Sequence, residues 1–269
     1  PYALRTIVEV VTTDGITGIS ETYGGDQQLA NFEALRSRVV GMDPFQLTRL
    51  WQDMASEGEQ QSLEQDRSQT MLVPGENPAD KHSRAFAAIE IACLDAIGKA
   101  VGKPVCDLLG GRARDGVDFS AYLFYKHGGG GGAGQDTRDD EFGECLEPQS
   151  MGRQCRQMIE QYGFREIKLK GGVLDPDQEI ATIKALREAF GPAYPLRIDP
   201  NCAWSVDTSE QVGLALKEEL SAGGYLEDPC AGMDGMAELR RRLLAQGVET
   251  PLADKQPYDI NFVVVRGNT

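Results

Sequence analysis

Two lysines stand two residues apart in the run IKLKGG, at Lys168 and Lys170. In a β-strand, residues i and i+2 face the same side, so a strand here would project both side chains together. Two ammonium groups held that close disfavour each other's charge, which lowers the pKa of a lysine. One of them could then accept a proton near neutral pH. The spacing alone is more typical of two solvated lysines on an edge strand.

Two acids end the next two apolar runs. Asp199 closes LRID and is followed by Pro200, and Glu227 closes YLE before Asp228 and a proline. A carboxylate at the end of a parallel strand points into the mouth of the sheet. The alternatives are a turn or helix N-cap role for Asp199, and capping of the next helix by Glu227 or Asp228.

The order of these motifs along the chain favours a shared site. Lysines, an aspartate and a glutamate end three successive strands, each one strand-helix unit apart. In a parallel barrel these ends lie on one face, where catalytic groups assemble. Two carboxylates there suit a hard, oxygen-preferring cation such as Mg²⁺.

The second half of the chain predicts the scaffold for that site. Strands and helices alternate, which indicates a parallel sheet, open or closed into a barrel. Residues 126–149 hold a glycine run and many acids, and they predict a mobile loop or lid. The predicted strands are 117–124, 164–170, 195–199, 223–227 and 248–252, and the predicted helices are 151–162, 176–190, 207–220 and 234–246.

The first part, about residues 1–115, predicts an α+β domain. Strands at 4–13 and 16–21 flank Asp14-Gly15 and indicate a hairpin. Helices are predicted at 29–40, 45–54 and 83–101, the last ended by Gly102 and Pro104. Residues 58–80 predict a polar surface loop.

Composition limits the classes of function. The 269 residues carry a net charge of −15, which repels nucleic acid and also a dianionic substrate, so an acid-binding site needs local positive charge. No apolar run suits a membrane helix, and the first residues predict a strand and not a secretory leader. Six scattered cysteines indicate a reducing compartment, and we expect a cytoplasmic protein.

Taken together, the motifs KLKGG, IDPNCAW and YLEDPC resemble the enolase superfamily, in its mandelate racemase branch. The flanking segments AYLFY, YGFREIKLKGGVLDP and DPNCAWS are similar to glucarate dehydratases. The resemblance implies a modified TIM-type (β/α) barrel with an N-terminal α+β capping domain. The capping domain would be residues 1–115, without the family's N-terminal substrate loop. Residues 116–253 would form the first part of an incomplete barrel, and 254–269 form an unmatched tail.

The resemblance also implies a reaction. An acid sugar such as glucarate would be dehydrated with Mg²⁺ to a 2-keto-3-deoxy product. Lys170 would be the base and Lys168 its electrostatic partner, which also contacts the substrate carboxylate. The implied metal ligands and substrate-pocket residues are Asp199, Glu227 and the substitute Asp254, and Asn201 and Tyr122.

Departures from the family pattern keep other functions open. Lys255 stands where the family has an asparagine ligand, and Ala87 stands where it has a threonine. An acid-sugar racemase or epimerase, or a catalytically inert relative, therefore remains an alternative to the hydro-lyase. We expect a small-molecule acid-sugar substrate, a homo-oligomer, and neither a nucleic-acid nor a membrane partner.

Overall fold

The computed structural model describes residues 4–53, 80–131, 134, 137 and 140–253. The chain forms two compact units, of which the first ends at Gly116 and the second begins at Val117. Within the described residues, no helix combines the length and the apolarity needed to cross a bilayer. The predicted loop at 58–80 lies largely outside the described residues, and so does the tail from 254 to 269.

The first unit is built on a hairpin and one long helix. Strand β1 (Arg5–Val11) pairs antiparallel with β2 (Thr17–Tyr23) through the turn at Asp14-Gly15. Helix α3 (Asp80–Val101) packs on the hairpin, and its buried alanines recur every three or four residues, so small side chains face the sheet. The Ser20 hydroxyl donates to a carbonyl of that helix at 2.6 Å.

Three further helical segments complete this unit. Their positions are α1 (Asp26–Val39), α2 (47–53) and the single turn α4 (Val105–Leu108). Apolar residues of α1 and α2 pack with α3 around Phe86 and Ile89 in a separate small core. The predicted hairpin and helices of this α+β unit are therefore present.

The second unit is a five-stranded parallel sheet with helices between the strands. Neighbouring strands follow chain order from β3 to β7, and every pairing is parallel. The strands are β3 (Ser120–Leu123), β4 (Glu166–Lys170), β5 (Leu196–Asp199), β6 (Tyr225–Glu227) and β7 (Leu252–Ala253). The helices are α5 (Pro148–Tyr162), α6 (Pro176–Phe190), α7 (Val206–Ala215) and α8 (Met233–Ala245).

Local sequence explains where these helices begin and end. Asp175 caps the start of α6 and Ser205 caps the start of α7, each through its side chain. Helix α5 begins with a capping box at Glu147 and ends at Gly163 in the left-handed conformation. These short helices return the chain to the same end of the sheet after each strand, so that successive strands run parallel.

The predicted fold class is confirmed, with the sheet as the first part of a barrel. Within the described residues, β3 and β7 are the outer strands and do not pair with each other. The core lies between the sheet and its helices, where one face of each strand from β3 to β6 is apolar and fully buried. That face carries Ala121, Leu123, Ile167, Leu169, Leu196, Ile198 and Leu226.

Two predicted boundaries differ from the structure by more than three residues, for local reasons. Helix α7 stops at Ala215 instead of residue 220, and turns continue to Gly223, which has φ 73°. The last strand begins at Leu252 instead of residue 248, because the Val248 N–H donates back to Leu243 and completes the end of α8.

The segment 126–149, predicted to be a mobile loop, forms defined local contacts in the part that the structure describes. Gly128–Gly131 forms a 3₁₀ turn, and Lys126 makes a two-bond backbone bridge with Cys145. The Lys126 ammonium also pairs with Asp140 at 2.7 Å.

Candidate active site

The candidate site lies on the face of the sheet opposite the helices. Because side chains alternate along a strand, the residues between the apolar positions all project to this second face. They are polar in every strand from β3 to β6. In strand order across the sheet, the residues on this face are Ser120, Tyr122, Glu166, Lys168, Lys170, Arg197, Asp199, Tyr225 and Glu227.

Lys168 connects the two acids predicted as metal ligands. Its Nζ lies 2.6 Å from Glu227 Oε2 and 3.2 Å from Asp199 Oδ2. The same ammonium stands 4.7 Å from the ring centroid of Tyr122, a cation-π contact. One positive group therefore sits between two carboxylates and against an aromatic face.

Lys170 lies beyond Lys168, at the last residue of β4. Its Nζ is 3.1 Å from Asp199 Oδ2 and 3.0 Å from Asn201 Oδ1, and the residue is only 6 % exposed. Strand β4 is flanked by β3 and β5, so it is not an edge strand. The interpretation of the two lysines as solvated edge-strand residues is therefore wrong.

Asp199 contacts both lysines, Tyr122 and Asn201, and it is fully buried. Its Oδ2 also accepts from the Tyr122 hydroxyl at 3.0 Å, and its Oδ1 accepts from the Asn201 backbone N–H at 3.1 Å. The last bond is a local turn contact, as one alternative expected, but the N-cap of the following helix is Ser205. Burial, with the adjacent Asp199 charge, raises the pKa of Tyr122 well above its usual range, so its hydroxyl stays protonated.

Glu227 completes the set from β6. It is 8 % exposed, and its Oε2 accepts from the Tyr225 hydroxyl at 3.4 Å as well as from Lys168. The following helix has Gly232 at its N-cap and no side-chain cap, so capping by Glu227 or Asp228 is excluded. Burial also raises the pKa of Tyr225.

Strained backbone follows both acid-bearing strands. Asn201, Cys202 and Asp228 have φ values of 54°, 64° and 42°, a region that non-glycine residues seldom adopt. The Cys202 N–H donates to the Asp228 carbonyl at 2.7 Å, which ties the two loops together. Such strain is characteristic of functional sites, where the surrounding structure fixes it.

A second polar layer, two residues earlier on each strand, was not predicted from the sequence. Arg197 pairs with Glu166, donates to the Ser120 hydroxyl at 3.1 Å and stands 4.8 Å from the ring centroid of Tyr225. The signal was available, because Arg197 and Tyr225 each precede a predicted acid by two residues and so share its face. This layer supports Tyr225, which in turn contacts Glu227.

The chemistry of the donors fits a divalent cation. Both acids contact one cationic nitrogen, so their carboxylate oxygens converge on a single positive charge. Among the described residues, no group of three or more His, Cys, Asp or Glu side chains converges as a complete ligand set. Asp254 and Lys255 lie outside the described residues, and Ala87 is half-buried on α3 in the first unit.

The arrangement brings together six of the predicted site residues. Lys168, Lys170, Asp199, Glu227, Asn201 and Tyr122 form one hydrogen-bonded and ion-paired cluster. Such a cluster can hold a cation and an anionic substrate, and it offers a buried amine for proton transfer. The predicted function of each residue in it remains a prediction.

Two family models match most of the chain. Residues 150–255 match the model described as enolase C-terminal domain-like, and residues 3–110 match the mandelate racemase / muconate lactonizing enzyme N-terminal domain. A curated protein from Streptomyces coelicolor, named a probable glucarate dehydratase, is 43% identical over 240 residues. That alignment covers 89% of this chain and 54% of the relative.

Two solved structures share the fold. An enolase from Thermobispora bispora, complexed with magnesium and formate, is 46% identical with a TM-score of 0.76, over 94% of this chain and 57% of the other. An enolase from Pseudomonas fluorescens, with bound magnesium, potassium and tartrate, is 40% identical with a TM-score of 0.78, over the same shares. The chain therefore spans a little over half the length of these relatives.

Proposed function

The chain belongs to the enolase superfamily, with both domains of its mandelate racemase and muconate lactonizing enzyme group, and we propose that it serves the dehydration of an acid sugar. The substrate would be a glucarate-like aldarate and the product a 2-keto-3-deoxy acid. The observation that carries the proposal is the buried cluster of two lysines and two carboxylates on neighbouring strands.

Charge balance supports an acid substrate. The cluster holds two ammonium groups and two carboxylates, so its formal charge is zero with all four ionised. A divalent cation would give it a charge of +2, or +1 when Lys170 is neutral, and either charge attracts the carboxylates of an aldarate. The rest of the chain is strongly acidic, with a net charge of −15, so this local positive charge is required for binding.

Asp199 and Glu227 are the residues that would hold Mg²⁺, with Asp254 as the candidate for a third ligand. When bound, the ion supplies Lewis acidity, which stabilises negative charge on a coordinated carboxylate. Magnesium in the two solved relatives supports the choice of ion, and tartrate in one of them is a hydroxylated dicarboxylate of the proposed substrate class.

Lys170 is the proposed base. It is the more buried lysine, and its Nζ is fixed between a carboxylate oxygen and the Asn201 amide oxygen, so it is oriented before substrate binds. In its neutral form it takes the proton from the carbon next to the substrate carboxylate. Lys168 contacts both acids and contributes positive charge beside that carboxylate, while Tyr122 and Asn201 offer hydrogen bonds to hydroxyl groups.

The test is Mg²⁺-dependent release of a 2-keto acid from a panel of aldarates. Semicarbazide absorbance detects the product, and chelation with EDTA should abolish the signal. Conversion of one or more aldarates supports the proposal. If the magnesium-loaded protein turns over no member of the panel, the catalytically inert alternative is favoured.

A racemase or epimerase activity would use the same lysine and cation and differ only after proton removal. The two reactions are separated by following the panel in D₂O by NMR. A dehydratase forms keto acid, whereas a racemase places deuterium at the carbon next to the carboxylate, inverts its configuration and releases no water.

A further inference from the structure

A buried carboxylate stands behind the loop that follows the lysine strand. Glu179 lies in the first turn of α6, and it is fully buried. Its two oxygens accept three backbone N–H groups, from Gly172, Val173 and Leu174, each at 2.9 Å. Within the described part of the chain, no basic side chain forms an ion pair with it, so these backbone bonds satisfy the charge.

The loop that Glu179 holds is packed directly against the site. The Gly171 N–H donates to the Asp199 carbonyl at 3.0 Å. A Cβ added to Gly172, which has φ 72°, would lie 2.5 Å from the Pro200 carbonyl oxygen. The loop therefore touches the backbone of Asp199, the acid that contacts Lys170, and of Pro200, the residue after it.

The same packing explains why two glycines follow Lys170. A Cβ on Gly171 would stand 2.8 Å from Ile198 Cγ1 and 2.9 Å from Glu179 Oε2. Any side chain there would push the carboxylate away from its three donors. The Glu179 carboxylate thus reaches the loop backbone because the two glycines carry no side chain that would lie between them.

Burying the Glu179 carboxylate has a cost in free energy. Burial raises its pKa above the usual value, although the three N–H bonds act in the opposite direction. A neutral apolar side chain at residue 179 would avoid the cost of burying a charge, but it would leave these backbone N–H groups without an acceptor. The carboxylate is therefore suited to fixing the backbone of this loop.

We propose that Glu179 is a positioning residue, whose carboxylate fixes the backbone of residues 171–174 and thereby holds Lys170 against Asp199 and Asn201. This inference rests on the proposed function for the role of Lys170 as the base. The fixing of the loop by Glu179 does not depend on that role, so the loop contact and the role of Lys170 can be tested separately.

The first measurement is amide hydrogen exchange in the wild-type protein. The N–H groups of Gly172, Val173 and Leu174 lie in a loop outside any helix or strand, yet each should be protected by its bond to Glu179. If these N–H groups exchange as fast as those of an unprotected loop, Glu179 does not fix the loop, and no variant is needed to show it.

The second measurement compares Glu179→Gln with Glu188→Gln. Both substitutions remove one charge from α6, but Glu188 is exposed and bonds no loop amide. The glutamine amide at residue 179 turns an N–H₂ group towards a backbone donor, so we expect about tenfold faster exchange of at least one loop amide. The Glu188 variant should match the wild type.

Activity and lysine reactivity then test positioning. In the magnesium-loaded protein, Glu179→Gln should lower kcat by about 10- to 100-fold, because small misplacements of a base are costly, while KM changes less than about threefold. Without substrate, acetic anhydride should modify Lys170 several-fold faster in this variant, as read by peptide mass spectrometry. Glu179→Asp, which keeps the charge, should restore part of both properties.

The outcomes separate this inference from the proposed function. Faster loop exchange and faster Lys170 modification support it even if no aldarate is turned over, which would count against the proposed function alone. A lower melting temperature with unchanged kcat and unchanged Lys170 modification would overturn it, since Glu179 would then be merely structural. If Glu179→Gln does not fold, wild-type exchange and the Glu179→Asp variant decide the question.

Discussion

Replacement of Asp199 by asparagine should destabilise the protein far more than the same change at an exposed ion pair. The fully buried Asp199 carboxylate contacts Lys170 at 3.1 Å and Lys168 at 3.2 Å. The asparagine keeps the shape and can still accept a hydrogen bond, but it removes the negative charge between two ammonium groups. Breaking a buried ion pair costs about 3–5 kcal/mol, and we expect about 3 kcal/mol because Lys168 retains Glu227 and Lys170 retains Asn201.

Asp207→Asn is the matched control. Asp207 pairs with Arg242 at 2.7 Å, but its side chain is 86 % exposed. Exposed pairs contribute about 0–1 kcal/mol, so this change should cost less than about 1 kcal/mol. Its small effect should also vanish in 1 M salt, whereas the effect at Asp199 should persist because buried charges are screened little.

The assay is urea unfolding of the wild type and both variants at pH 7 with EDTA present. The free energy of unfolding should fall in the order wild type, Asp207→Asn, Asp199→Asn, with unchanged m-values. Equal losses in the two variants, or a loss at Asp199 below about 1 kcal/mol, would refute the reasoning that this cluster is a buried ionic network.

Three further predictions follow from particular residues. Gly172→Ala should lower the free energy of unfolding in urea more than Gly163→Ala does. Both glycines have φ near 70°, but of the two only Gly172 has backbone atoms within 4 Å of the added Cβ. Equal losses in the two variants would contradict this close approach. Burial raises the pKa of Cys155 to about 12, so iodoacetamide at pH 8 should leave this thiol unmodified in the native protein and label it in urea; native labelling would show that it is accessible. Because the pKa of Glu179 is raised above 4.5, the native state binds more protons at this residue than the unfolded state does. The free energy of unfolding of the wild type, relative to that of Glu179→Gln, should therefore fall as the pH rises from about 4.5. A relative stability that is constant or increases with pH would contradict this direction.

Much of the fold could be predicted because the pattern is local. Alternation of apolar strands with capped helices gave the order β3 to β7, and glycines and prolines marked most boundaries. The boundaries of α7 and β7 could not be predicted, because they depend on turns at Gly223 and on the return bond from Val248. Those contacts are set by the packed structure and not by propensity.

The candidate site was predictable in its residue types and less so in its contacts. Strand periodicity places Lys168 and Lys170 on one face and the acids on the next strands. It does not reveal that Lys168 lies between both acids, or that Asn201 and Cys202 adopt positive φ. Glu179 was missed because its three partners are backbone groups, which leave no signature in side-chain patterns beyond the preceding glycine pair.

The most direct test of the central claim is the rate at which the proton on the carbon next to the substrate carboxylate is removed, read as deuterium exchange at that carbon or as formation of keto acid. Magnesium-loaded protein and an aldarate are followed by NMR in D₂O, for the wild type and for Lys170→Ala, with the fold of the variant checked by circular dichroism. If Lys170 is the base, the wild type removes this proton and the variant does so at least about 100-fold more slowly. Proton removal by Lys170→Ala within a few-fold of the wild-type rate would contradict the account.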